Sequence, residues 1–251
     1  MFNSNEIVFG GCMNHVVKIS DTVHRRIQGH PMLHSYLLYL EEAGMPGVPR
    51  FLGIDGQGRE ILSYLPGKTM EHGLDGSPAL NSEETIADVA RFMRKLHDVS
   101  AGFLPRAVEG GWRNPYFPDE EPETILHGDP AVWNFAFIDD RVSGLFDFDQ
   151  ACPGARIWDL ALSLFSVIPL TPYDYDPALH AAGRKRKVKL FFDAYGIEIP
   201  RGIMDLTARR IQVFVDETRK KVEAGDKNSE FGLRHYQNIV AHIKACGRDW
   251  A

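Results

Sequence analysis

The stretch ILHGDPAVWNFAFIDDRVSGLFDFDQACPGARIWDLAL, Ile125 to Leu162, decides the reading of this chain. A short apolar run ends just before His127-Gly128-Asp129, and Asn134 follows five residues after Asp129. Two apolar runs, Phe135 to Ile138 and Ser143 to Phe148, then flank Asp139-Asp140, which reads as a β-hairpin. A hairpin brings its ends together, so Asn134 and Asp147 become neighbours although thirteen positions separate them. An amide and a carboxylate converging beside a second carboxylate suit a hard cation such as magnesium, which takes oxygen ligands and keeps several waters. Magnesium would bridge nucleotide phosphates and offset the charge of a phosphoryl group in transfer. Asp129 would face the hydroxyl of the acceptor and accept or orient its proton. Any one Asp in a loop is more often a turn former or a cap; only the combination points to this chemistry.

Working outward, the N-terminal part reads as short strands: Glu6 to Phe9, Val16 to Ser20 and Thr22 to Arg26. Gly10-Gly11 and Ser20-Asp21 punctuate them. Pro31 to Glu42 has helical apolar spacing and Gly44 stands where it should end. Phe51 to Ile54 and Glu60 to Leu65 bracket an Asp55-Gly56 turn, a second hairpin. Pro66-Gly67 is the expected hinge. Beyond it the pattern turns helical, with Asn81 and Glu84 in capping-box spacing ahead of Ile86, Val89, Ala90, Met93 and Leu96. Further helices are expected near 158–168, 178–195, 203–224 and 230–246, with Gly196 and Gly225 as caps. The fold class is therefore α+β: a small antiparallel β lobe over residues 1–66 and a larger helical lobe over residues 67–251.

Composition narrows the function classes. The chain has 251 residues and a formal net charge of -6, which gives no reason to expect a nucleic-acid partner. Cys12, Cys152 and Cys246 have neither disulfide nor zinc spacing and read as reduced thiols in a cytoplasm. The first eleven residues lack the features of a signal peptide, and the apolar segment from Leu160 to Leu170 is too short to cross a membrane. The oligomeric state is not legible. The run Arg184-Lys185-Arg186-Lys187 with Lys189 reads as a solvated helix face, and Asp119, Glu120, Glu121 and Glu123 as a charged loop. Trp112, Tyr116, Phe117 and Trp133 are candidates both for a substrate pocket and for core.

The central segment resembles the catalytic loop and metal-binding strand of the aminoglycoside phosphotransferase and choline kinase superfamily, relatives of protein kinases. His127, Gly128, Asp129 and Asn134 match its first motif, Asp147 its aliphatic-Asp-aromatic motif and Asp159 its later Asp-Leu-Ala. The resemblance implies a two-lobed protein-kinase-like fold with Asp129 catalytic and Asn134 and Asp147 holding magnesium. His127 and Asp159 would be structural. It further implies transfer of the γ-phosphoryl group of ATP or GTP to an alcohol group of a small molecule, a cationic one being suited to the acidic loop. Gly10, Gly11 and Asn14 would form the nucleotide loop, and Ser63 and Leu65 the linker at the purine edge. The superfamily carries a lysine on the third strand and pairs it with a helix glutamate. Here Arg25 or Arg26 is the substitute, with His34 near the glutamate's place. Compact bacterial members include proteins linked to immunity against the peptide toxin trifolitoxin. A kinase-fold binding or toxin-immunity protein with weak or no catalysis is accordingly the alternative.

Overall fold

The computed structural model describes residues 6–10, 15–27, 31–69, 82–107, 112, 120–172 and 181–251. They form two compact units. The first comprises Met1–Thr69, Lys95–Asp129 and Asn134–Ala155; the second comprises Met70–Arg94, Pro130–Trp133 and Arg156–Ala251.

The first unit opens with β1 (Glu6–Gly10), β2 (His15–Ile19) and β3 (Thr22–Arg26). Helix α1 (Pro31–Glu42) follows, and then β4 (Phe51–Ile54) and β5 (Arg59–Ser63). These strands make one antiparallel sheet in the order β1-β2-β3-β5-β4. The register sets Arg25 directly opposite Glu60. Strand side chains alternate between faces, so Glu60 shares the buried face of β5 with Leu62. The β4–β5 turn is closed by Asp55, whose carboxylate accepts the Gln57 and Arg59 amides at 2.8 and 3.0 Å. Gly58, at φ 74°, rather than Gly56, supplies the left-handed residue.

Helix α1 buries Leu33, Tyr36, Leu37 and Leu40, a stripe at helical spacing, and leaves Leu38 exposed. Its end is a Schellman turn: Gly44 at φ 68° donates to Glu41, and the Met45 amide reaches the Leu40 carbonyl at 2.9 Å. The Tyr36 hydroxyl meets Ser100 Oγ at 2.5 Å, and its ring packs with Phe103, Trp112 and Phe148. Trp112 is therefore a packing residue of this unit. Tyr116, Phe117 and Asp119 lie outside the described residues.

The rest of the first unit is built on three further pairings. Strand β6 (Lys68–Thr69) joins β8 (Phe135–Ile138), which pairs with β9 (Arg141–Leu145). Strand β7 (Thr124–Leu126) pairs with β10 (Cys152–Gly154). Asp139 and Asp140 both take positive φ, 49° and 59°, the two-residue turn that suits a twisted hairpin. Strands β6 and β10 carry no sequence signal long enough to read.

The second unit is helical. Helix α2 (Glu83–Ser100), of which the part up to Arg94 belongs to this unit, is capped by Ser82, whose Oγ accepts the Thr85 amide at 3.0 Å. The capping residue is thus Ser82, one position beyond Asn81, which lies outside the described residues. Helices α3 (Arg156–Val167), α4 (Ala181–Tyr195), α5 (Ile203–Glu223) and α6 (Ser229–Cys246) complete it. Gly196 and Gly225, at φ 90° and 95°, end α4 and α5 as their positions in the sequence predict. The basic run on α4 is not a solvated face throughout. Arg184 is buried, donates to the carbonyls of Pro169 and Thr171 at 3.0 Å each, and lies over the Trp250 ring. Lys187 is also buried, while Arg186 pairs with Glu83 and Lys189 with Asp193. Among the described residues no helix is long and apolar enough to cross a membrane.

Candidate active site

The loop after β7 and the end of β9 are tied together by backbone and by one histidine. The Phe146 amide donates to the Asn134 carbonyl at 2.9 Å, so the hairpin closes next to Asp147. His127 is fully buried. Its Nδ1 accepts the Asp129 amide at 3.2 Å, which requires a lone pair there, so Nε2 carries the proton and donates to the Phe146 carbonyl at 2.9 Å. A neutral His127 therefore fixes the Asp129 loop against the strand that delivers Asp147, the structural role expected of it. Gly128, at φ 83°, lies so close to the Gln150 carbonyl that a Cβ would overlap it. Only glycine fits.

Asp129, Asn134 and Asp147 all belong to the first unit. The Asn134 side-chain amide donates twice, to the Asp129 carbonyl at 2.8 Å and to Asp129 Oδ2 at 3.1 Å. Its nitrogen is thereby spent, and its oxygen is the group left to accept a cation. Asp147 sits at φ 66° and ψ 59°, a left-handed conformation that costs a non-glycine residue of order 1 kcal/mol or more. Its side chain is 45% exposed. One of its oxygens takes a 3.1 Å bond from Arg25. Two oxygen donors, one amide and one half-exposed carboxylate, fit magnesium, which fills its remaining positions with phosphate and water. Among the described residues no group of three or more His, Cys, Asp or Glu side chains is placed to hold a metal.

Of Arg25 and Arg26, Arg25 is the buried one and reaches Asp147, while Arg26 is exposed. The Arg25 guanidinium spends all three edges on carboxylates: Nε on Glu60 at 2.7 Å, Nη1 on Asp147 at 3.1 Å and Nη2 on Asp149 at 2.5 Å. Burial works against its charge, but the carboxylates of Asp149, Glu60 and Asp147 more than offset this and hold it protonated. Lys18 is elsewhere, with its ammonium 3.8 Å from the centre of the Tyr64 ring. Glu60 and Asp149 are the site residues that sequence reading missed. The signal was present for Glu60: a glutamate sharing a strand face with buried Leu62 needs a partner, and Arg25 stands opposite.

Burial, reinforced by Asp147 and Glu60 against the pull of Arg25, pushes the Asp149 pKa up from its ordinary 3.8 to about 6. The folded chain then holds a proton that the unfolded chain has lost between these two values. The Asp149 contribution to stability therefore falls as pH rises through that window. In Asp149→Asn the decline should flatten, read as a urea midpoint that changes less between pH 4 and pH 6 than in the unmodified protein.

The remaining expected site residues are less central. Gly10 closes β1, while Gly11 and Asn14 lie outside the described residues. Ser63 and Leu65 line a cleft of about 430 Å³ together with Met45, Val48 and Tyr64. The Ser63 amide and hydroxyl are both engaged by the Arg50 backbone at 2.9 Å.

The fold is the two-lobed α+β fold of kinase-like phosphotransferases. It is shared with a solved amicoumacin kinase, hAmiN in complex with AMP-PNP, Ca2+ and Ami, at a TM-score of 0.68 and 14% identity over 94% of this chain and 88% of that one. The model of the APH phosphotransferase enzyme family matches residues 111–191, the segment that holds Asp129, Asn134, Asp147 and Asp159. The resemblance carried by these residues is thus borne out. Among individual proteins, the chain is 28% identical over 207 residues to the trifolitoxin immunity protein of Rhizobium leguminosarum bv. trifolii, covering 78% of this chain and 75% of that protein. A homoserine kinase of Bradyrhizobium sp. (strain BTAi1 / ATCC BAA-1182) is 32% identical over 92 residues. That match spans 37% of this chain but only 26% of the kinase.

Proposed function

We propose that this chain is a small-molecule phosphotransferase that moves the γ-phosphoryl group of ATP or GTP to a hydroxyl of its acceptor. The observation that carries the reading is the Asn134 amide clamped on Asp129, one hairpin closure away from a half-exposed, left-handed Asp147. In the reaction the acceptor oxygen forms a bond to the γ-phosphorus as the bond to the β,γ-bridging oxygen breaks. The products are a phosphate monoester and the nucleoside diphosphate, and the hydroxyl proton leaves through the Asp129 carboxylate. Asn134 and Asp147 would hold magnesium, which when bound offsets charge on the phosphates. Residues 1–66 would serve as the nucleotide lobe, with Gly10, Gly11 and Asn14 near the phosphates and Ser63 and Leu65 near the purine. Residues 67–251 would hold the acceptor, and a cationic one suits the acidic residues Glu120, Glu121 and Glu123. The cytoplasm, where both nucleotides abound, is the proposed location.

A second reading, a kinase-fold binding or immunity protein with little catalysis, is favoured by one observation: Arg25 stands where a lysine is expected, and each of its three nitrogens is bonded to a carboxylate. The likeness to an immunity protein over most of both chains supports the same reading. A thermal-shift titration separates the two. The phosphotransferase is stabilised by about 3 kcal/mol at ATP or GTP a hundredfold above Kd when magnesium is present, and Asp147→Ala loses the magnesium-dependent part. Absence of stabilisation by either nucleotide favours the binding protein.

A further inference from the structure

The cleft at the end of β5 has walls of its own. They come from the end of α1, from the connection between α1 and β4, and from residues 63–65. Among the described residues the lining takes nothing from β1, β2 or β3, nor from residues 125–162. Met45 and Val48 are buried and, with Pro46 and Leu65, give the cleft an apolar surface. Gly44 and Gly47, at φ 68° and 71°, line it without side chains, and a Cβ at Gly44 would meet nothing within 4 Å. The backbone around it is fixed. The Gly47 carbonyl accepts the Leu145 amide at 2.8 Å, the Met45 amide reaches Leu40, and Ser63 is bonded to the Arg50 backbone. A preformed cleft of about 430 Å³ is within the ordinary range for a small-molecule site.

Two charged side chains line it, and they have opposite signs: Glu41 and Arg50. Arg50 Nη1 stands 3.4 Å from Glu41 Oε1, with the side chains 56% and 40% exposed. An exposed pair of this length adds little to stability, so each member is open to a second partner. We propose that this cleft binds a small apolar zwitterion of the class of the free aliphatic α-amino acids. The ligand ammonium meets Glu41, its carboxylate meets the Arg50 fork, and its side chain lies over Met45 and Val48. An α-amino acid carries both charges on one carbon, which matches two protein charges standing side by side. A ligand with one charge answers only half of the rim. Neither Glu41 nor Arg50 has a part in the phosphotransferase reading, so the two stand or fall separately.

The test is calorimetric titration of the full chain with L-leucine and L-methionine. Glycine lacks the side chain, while 3-methylbutylamine and 4-methylpentanoate each lack one charge of leucine. Leucine and methionine should bind with Kd of about 1 mM or tighter. Glycine and the two single-charge analogues should each bind about tenfold or more weakly, as should leucine to Glu41→Gln and to Arg50→Gln, the loss of one charge-assisted bond. Both side chains are exposed, so both variants should unfold at the midpoint of the unmodified chain. Saturating MgATP or MgGTP should leave leucine affinity within about twofold. Failure of both amino acids to bind at about 10 mM overturns the proposal. So does equal affinity for the single-charge analogues or in the two variants. Displacement of leucine by nucleotide overturns it as well, because the cleft would then belong to the nucleotide site. A chain that takes leucine in this way but neither nucleotide upholds the inference while the phosphotransferase reading falls.

Discussion

Arg25→Ala should lower stability by about 3–5 kcal/mol, the cost of leaving buried carboxylates without their cation. Glu60 and Asp149 are 1% and 10% exposed and both depend on Arg25. At a few degrees per kcal/mol for a chain of this size, the midpoint of thermal unfolding drops by roughly 10 °C. The loss should itself depend on pH. Without Arg25 the folded-state pKa of Asp149 rises further, so that group favours folding only while protonated. The variant is therefore nearest to the unmodified protein in mild acid and furthest from it above neutrality. Calorimetric scans at pH 5 and pH 8 read this directly. Equal losses at the two values would show that the guanidinium acts through packing and not through charge. Arg25→Lys, which keeps the charge and loses the three-edged fork, should fall between.

Asp129→Ala should leave the fold intact and reduce phosphoryl transfer by about 10³-fold, within the range for loss of a general base. The Asp129 carboxylate is held in place from outside: Asn134 grips its carbonyl and Oδ2, and His127 accepts its amide. The backbone half of this holding survives the substitution, so stability should change little. Asn134→Ala is the contrasting case, because it removes both the clamp and the amide oxygen. The measurement is initial-rate transfer from ATP or GTP to a panel of hydroxylated and amino compounds, first with the unmodified chain and then with Asp129→Ala. An accepted compound turned over equally by both would remove Asp129 from its role.

Much of this architecture was legible because local signals agree. Strand-turn-strand patterns around Ser20-Asp21 and Asp139-Asp140, and glycines at 44, 196 and 225, place most element ends within a few residues. Asp129, Asn134 and Asp147 were readable because a hairpin converts sequence spacing into proximity. Glu60 and Asp149 were not, because their meaning depends on a cross-strand register and on Arg25 reaching residues 122 and 124 positions away. Alternation along β5 marks Glu60 as inward-facing, but only the register names its partner. The basic run on α4 failed for a related reason. Charge density suggested solvent, whereas Arg184 satisfies the carbonyls of Pro169 and Thr171, acceptors that composition does not reveal.

The closeness of Gly128 to Gln150 reaches beyond sterics. Backbone pressed against backbone there, with His127 bonded across to Phe146, makes the proposed proton acceptor and the proposed cation ligand travel as one rigid piece. Through His127 the position of Asp129 is tied to that of the strand end that carries Asp147. Slow hydrogen exchange at the Asp129 and Phe146 amides, unaltered by nucleotide, is the signature of such a welded pair.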